Sequence, residues 1–403
     1  MVATGSDFLS DIEVTYGISD SRTLEEFSAR EINLTESILT PGLMTSILVD
    51  AYSSTPRNLD LFKGAAVEIK VTRPILARYG FNPELKFTNN IYRIQDRKQM
   101  DNNNERMTLQ ACHETQLEDA RKLMSKPWTC ANPSSIVSEV LTSCLGSTSN
   151  NVEPSQPARD YVAENIHPFQ VISQQADVAL AGSNDPSFLH FMTYENNCTH
   201  NFRSLYTMTM QNPVAEFFYS ETGTTLEGDK DKGYMNPKAV ITHSFPCDFD
   251  LLADLLNGIN LDGSFIGTTI IENLKNAMSS ALNFQPGFCS TAATLKIAQS
   301  NSNTESEQIS CPLDVQTHLL KRQARMGMIE RDKIALRMTV PWNASLNAGK
   351  VIYFERLSKD YPSIKLYGTG NYLIHSLTHI IKTGGYSTTV LDCVSTTIGQ
   401  GAT

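Results

Sequence analysis

Two histidines four residues apart, His375 and His379, lie in the run NYLIHSLTHIIKTGGYSTTVLDCV at 371–394. On a helix, positions i and i+4 share a face, and such a pair of imidazoles can hold zinc. Here no glutamate follows His375, and the surrounding Tyr, Leu, Ile, Ser and Thr favour a strand. On a strand, Leu373, His375, Leu377, His379 and Ile381 share one face, and Ile374, Ser376, Thr378 and Ile380 the other. The two rings then stand two pleats apart, too far to chelate one ion, and no nearby Cys or His cluster completes a set of four ligands. The spacing predicts a structural strand without metal.

Two other patterns invite chemistry. GDKDKG at 228–233 opens like a calcium loop, with Asp229 and Asp231 correctly spaced, but Gly233 comes one position early and position twelve is Val240. It reads as a solvated turn. His318, Lys321, Arg322 and Arg325 follow the i, i+3, i+4 spacing of one helix face. That face could grip phosphate or an acidic protein surface. A solvated face is the first expectation, a contact between subunits the next, and nucleic acid the last. The chain has no Walker loop, no G-x-G-x-x-G and no G-x-S-x-G. The sequence therefore predicts no catalytic, cofactor-binding or metal-binding residues, no cofactor and no enzyme.

The elements that carry these residues must fit 403 positions, which implies roughly two to four domains. A formal charge of -10 repels phosphate backbones and argues against specific nucleic-acid binding. The cysteines Cys112, Cys130, Cys144, Cys198, Cys247, Cys289, Cys311 and Cys393 are scattered without C-x-x-C spacing, which reads as reduced, mostly buried thiols. The N-terminus has neither a basic start nor an apolar run, and no segment has the length of a membrane span, so the expectation is folding in a cytoplasm without a membrane anchor. The Asn-x-Ser/Thr triplets at Asn33, Asn197 and Asn343 are then chance matches.

Residues 37–117 read as β: short β-branched runs broken by Gly and Pro, then a hairpin turning at Asn102, Asn103 and Asn104 through left-handed Asn conformations. NPSSIVSEVLTSCLG predicts a helix capped by Ser134 or Ser135 and stopped at Gly146. In HPFQVISQQADVALAG, Phe169, Ile172, Ala176 and Leu180 have helical spacing up to Gly182. SFLHFMTYEN and NFRSLYTMTMQ read as strands, as do KAVITHSF and FIGTTIIENL; Asp314 then caps a helix, and strands resume with IALRMTVP and GKVIYFERL. The fold class is mainly β within α+β: two antiparallel β-barrels with inserted α/β and helical segments. The first barrel takes residues 1–117, an inserted α/β domain 118–236, the second barrel 237–275 and 334–399, and a helical insertion 276–333.

This order, closed by GNYLIHSLTHIIKTGGYSTTVLDCV and preceded by NASLNAGKVIYFERL with a turn at Asn347-Ala348-Gly349, resembles the central baseplate hub protein of contractile-tailed, T-even-type bacteriophages. The C-terminal hairpin also resembles related tail and type VI secretion spike hubs. MTSILVDAYSS, the hairpin at 87–117, EDARKLMSKPW and VQTHLLKRQARMGM fit the same order. The resemblance implies a structural protein of the virion tail baseplate: a ring-shaped homotrimer of two barrels per chain. It would join a three-fold spike to a six-fold tail tube and leave a conduit for DNA ejection. Implied partners are further copies of the chain, a spike or tail-lysozyme protein, and tail tube and baseplate wedge proteins. Two rival classes are a tail-associated cell-wall hydrolase, which needs paired carboxylates or a nucleophile beside its base, and a monomeric β-type receptor- or carbohydrate-binding module. The latter needs exposed aromatic platforms, for which Trp128 and Trp342 are the tryptophans available.

Overall fold

A computed structural model describes residues 10–16, 27–52, 64–182, 185–220, 236–247, 318, 322–323, 325–330, 333–357, 366–383 and 385–395. Asp229 and Asp231, Asp314, the run FIGTTIIENL, and Cys289 and Cys311 lie outside these residues.

The chain is mainly β, and its described residues build one large, mostly antiparallel sheet of twelve strands. Its first group comprises β1 (Asp11–Tyr16), β2 (Phe27–Ser37), β3 (Met44–Tyr52), β4 (Ala66–Thr72), β5 (Glu84–Gln99) and β6 (Asn104–Cys112). A short helix, α1 (Ile75–Arg78), links β4 to β5. The strict alternation of β4, with Val67, Ile69 and Val71 fully buried, makes one face of this group a core. Ile32 and Leu34, Ile47 and Val49, Phe87 and Leu109 extend that core across the sheet.

The β5–β6 hairpin turns as expected, by a different device. Asp101 Oδ1 accepts the backbone N–H groups of Asn103 (2.9 Å) and Asn104 (2.7 Å). None of the three Asn residues has positive φ. A carboxylate capping its own turn replaces the left-handed Asn conformation.

Between the sheet strands lies an inserted layer. It contains α2 (Glu114–Arg121), β7 (Met124–Ala131), α3 (Pro133–Glu139), β8 (Asn150–Val152), β9 (Arg159–Ile166), α4 (Pro168–Val178), β10 (Phe188–Thr193), β11 (Thr199–Ser204) and α5 (Leu205–Thr209). Strands β7 and β9 form a ribbon, and β10, β11 and β8 a small sheet. Three sequence expectations shift here. The N-cap of α3 is Asn132 and not Ser134 or Ser135, because Pro133 takes the first helical position, where its missing N–H costs nothing. Helix α4 ends at Val178, not at Gly182, since Leu180 bridges Gln156 in extended form. In NFRSLYTMTMQ only the start is strand: Ser204 accepts the Thr207 N–H and caps α5.

The second strand group comprises β12 (Ala215–Ser220), β13 (Thr242–Ser244), β14 (Leu336–Pro341), β15 (Val351–Leu357), β16 (Gly370–Lys382) and β17 (Thr388–Val394). It joins the first through β2 and β16, which pair antiparallel from Ser37↔Ser376 to Glu31↔Lys382. The stretch before β15, Asn343–Gly349, is a run of turns that includes the expected one at Asn347-Ala348-Gly349, and β15 pairs with β12 and β16. Neither strand group closes on itself among the described residues.

Candidate functional site

Strand β16, which carries both histidines of the opening motif, is the junction of the molecule. One edge pairs β17 over Leu373–Ile380. The other edge pairs β15 over Gly370–Leu373, then β2 over Ser376–Lys382. His375 is the extra residue of a bulge at this hand-over, between Ile374 and Ser376. The bulge breaks the uniform alternation expected from sequence: Leu373 packs with Leu189, Phe191 and Val351, whereas Ile374, Leu377 and Ile381 join the large core. His375 is buried and its carbonyl takes the Ile38 N–H at 3.0 Å.

His379 is also buried. Its Nδ1 lies 2.8 Å from Thr389 Oγ1 across the hairpin, and its ring meets Trp342 edge-on at 6.3 Å. Burial pushes its pKa down to about 3, so the ring is neutral. No group of three or more His, Cys, Asp or Glu residues suited to a metal occurs among the described residues.

Next to this junction sits a group that the motif search passed over. Glu36 occupies an inward slot of β2, in phase with Ile32, Leu34 and Ile38, and is 1% exposed. Its Oε1 accepts the Tyr194 N–H (2.7 Å) and Asn347 Nδ2 (3.2 Å), and its Oε2 accepts the Ala348 N–H (2.7 Å). One carboxyl thus ties β2, the end of β10 and the turn before β15. Burial raises its pKa to about 7 against the lowering effect of these donors. The signal in the sequence was a carboxylate on the apolar phase of a strand. Gly349 completes the turn with φ +78°, and a Cβ there would lie 2.7 Å from the Phe191 ring.

The basic helix face is only partly solvated. His318 Nε2 approaches the Asp177 carbonyl at 2.8 Å, and Arg322 donates to the Pro186 and Phe188 carbonyls and to Asp177 Oδ1 (2.9, 3.1 and 2.8 Å). Arg325 pairs with Asp185 at 3.4 Å. This is an intramolecular clasp onto the inserted layer. The side chain of Lys321 lies outside the described residues. Of the described cysteines, Cys112, Cys198 and Cys393 are buried and Cys130 is exposed; all six are free. Trp128 and Trp342 are 8% and 0% exposed, so neither offers a platform for a sugar.

The exposed features suit protein contacts. β1 and β13 end the sheet path with one unpaired edge each among the described residues. Beyond β4, the β5 overhang presents Tyr92 and Ile94 to solvent, the residue after it presents Met100, and the β7–β9 ribbon region presents Leu123 and Val162. No helix among the described residues is long and apolar enough to cross a membrane.

This architecture recurs over the whole chain in solved structures. A tail protein from Neisseria meningitidis MC58 aligns with 97% of this chain and 98% of its own, with a TM-score of 0.54 at 10% identity. The 43 kDa tail protein of prophage MuSo2 from Shewanella oneidensis covers 96% and 98%, with a TM-score of 0.53 at 10% identity. The chain has the fold of these phage tail proteins. An E. coli component of the type VI secretion system, described as similar to T4 bacteriophage tail proteins, aligns with 97% of this chain and 79% of its own at 10% identity and a TM-score of 0.48. No family model matches the chain, and no curated protein matches it significantly.

Proposed function

We propose that the chain is a structural, non-enzymatic component of a phage tail, acting as the central hub of the baseplate. In this reading three copies form a ring that adapts a three-fold spike to a six-fold tail tube and leaves a conduit for DNA ejection. The protein is assembled in the host cytoplasm and resides in the virion tail. The observation that supports it is end-to-end similarity of fold, at nearly equal length, to two phage tail proteins. The proposed division is two barrel-like halves, 1–117 and 237–275 with 334–399, with 118–236 and 276–333 inserted; β12 (Ala215–Ser220), which pairs β15, departs from it and belongs with the second half. Open sheet edges supply the means by which neighbouring copies join. Spike, tube and wedge proteins are the further partners.

The test is oligomeric state. Light scattering and negative-stain images of the same fractions are expected to show a trimeric ring with a central hole, alone or on addition of a spike protein. A monomer that stays monomeric with tail proteins and fails to capture them in a pull-down overturns the reading. Clearing of a cell-wall suspension by the purified chain would move it to the hydrolase class.

A further inference from the structure

The inserted β10–β11 sheet meets the main sheet through four side chains in a line. His113 follows β6 and caps α2; Thr115 is in the first turn of α2; His200 is on β11 and His190 on β10. His113 Nδ1 lies 2.8 Å from Thr115 Oγ1, Thr115 Oγ1 lies 3.0 Å from His200 Nε2, and His200 Nδ1 lies 3.1 Å from His190 Nε2. Thr115 and His200 are 2% and 0% exposed, and His190 is buried beside them.

One further bond fixes every proton in this line. The Thr115 backbone N–H points at His113 Nδ1 (3.4 Å), so that nitrogen is an acceptor. The Thr115 hydroxyl must then donate to it and has only lone pairs left for His200. His200 Nε2 therefore carries a proton and donates to Thr115 Oγ1. A neutral His200 has a bare Nδ1, which accepts from His190 Nε2–H. All contacts are satisfied when all three rings are uncharged. A proton added at His113 Nδ1 faces the Thr115 N–H, and one added at His200 Nδ1 faces the His190 N–H.

Among the described residues, no charge that would favour such a proton acts on His200. Helix α4 presents the Phe169 ring, edge-on to His190 at 5.1 Å and to His200 at 5.8 Å. Strand β8 presents Asn150 opposite His200. Helix α2 carries Asp119, whose carboxylate is taken by the Phe169 N–H and whose carbonyl is taken by His167. On β11, Arg203 is near Glu153 and Glu195. The charges felt by His200 are those of His190 and His113, both opposing its protonation after burial itself. Burial likewise holds His113 down at about 4 and His190 at about 3.

We propose that the His190–His200–Thr115–His113 line is an acid-sensitive seam that fastens the β10–β11 sheet to the main sheet at neutral pH and opens locally when the imidazoles take up protons. An opened imidazole regains an ordinary affinity for protons, so each one favours opening by up to about a hundredfold at pH 4.5.

Hydrogen–deuterium exchange of the full chain between pH 7.5 and 4.5, corrected for intrinsic rates, tests this. The expected result is at least a tenfold loss of protection in residues 188–204 at pH 4.5, with the β2–β3 ladder unchanged. Retained protection in 188–204, or loss in step with β2–β3, overturns the proposal. His113→Asn, at the partly buried end of the line, should lessen the loss of protection in 188–204 at pH 4.5, whereas His379→Asn should not. Identical profiles for His113→Asn and the wild type also overturn it. If the variants do not fold, the wild-type profile decides alone.

Discussion

Glu36 stands where the alternation of β2 requires an apolar side chain, and its three partners are all N–H donors. Removing it leaves those donors buried without acceptors, so Glu36→Ala is expected to cost about 3 kcal/mol or more at pH 5 in urea unfolding. The pH dependence has a definite sign. The folded value, about 7, lies above the ordinary 4.5, so the folded chain holds this proton longer. The contribution is full below pH 4.5 and is lost as pH rises through about 7. Wild-type stability measured against Glu36→Gln should therefore fall by about 3 kcal/mol over that window and level off above it. A flat difference would place the carboxyl in water. Little at this scale was legible in advance. That His375 and His379 lie on a strand could be read from strand propensity alone, but Glu36 and the His113–Thr115–His200–His190 line depend on contacts between residues up to 312 positions apart. Residue spacing carries no record of such contacts.

Strand β16 bears the element-scale argument, since it pairs β2, β15 and β17. Leu377, 2% exposed, faces the large core at the midpoint of the strand. Leu377→Asp puts an unpaired charge there, and the expected outcome is loss of soluble folded protein, read by circular dichroism and gel filtration. Leu377→Met keeps the volume and should cost less than about 1.5 kcal/mol. The clasp gives a second prediction. Arg322 makes one carboxylate and two carbonyl contacts with a side chain only 15% exposed, so Arg322→Ala should cost about 1.5–3 kcal/mol, whereas a solvated face would cost nothing measurable. Strand existence and type were legible here because β-branched alternation is local. The bulge at His375 was not, because it exists to serve two partners on one edge. Helix ends shifted by a few residues for the same kind of reason: a proline at N1 in α3 and a distant bridge at Leu180. On the basic face of His318, Arg322 and Arg325, Arg325 is exposed as a solvated face requires, but the burial of Arg322 was not legible, since its acidic partner lies more than a hundred residues away.

For the whole molecule, charge links sequence to the proposed conduit. A chain of formal charge -10 assembled as a ring of three carries about three times that charge, before any spike or tube protein is added. A ring through which DNA must move gains nothing from holding it: each neutralised phosphate would release counterions and add friction to passage. Several of the described basic side chains already have carboxylate partners within the chain, Arg322 with Asp177 and Arg325 with Asp185, Arg106 and Arg30 with Asp50, and Arg337 with Asp392. The expected outcome is that labelled duplex DNA shows no change in fluorescence anisotropy with the purified protein, even at low ionic strength, where electrostatic attraction is least screened. Binding with a Kd of about 10⁻⁵ M that weakens steeply with added salt would reveal a basic face strong enough to overcome the net charge. That result would turn the proposed conduit into a DNA-gripping surface and would require a different account of how the molecule serves a tail.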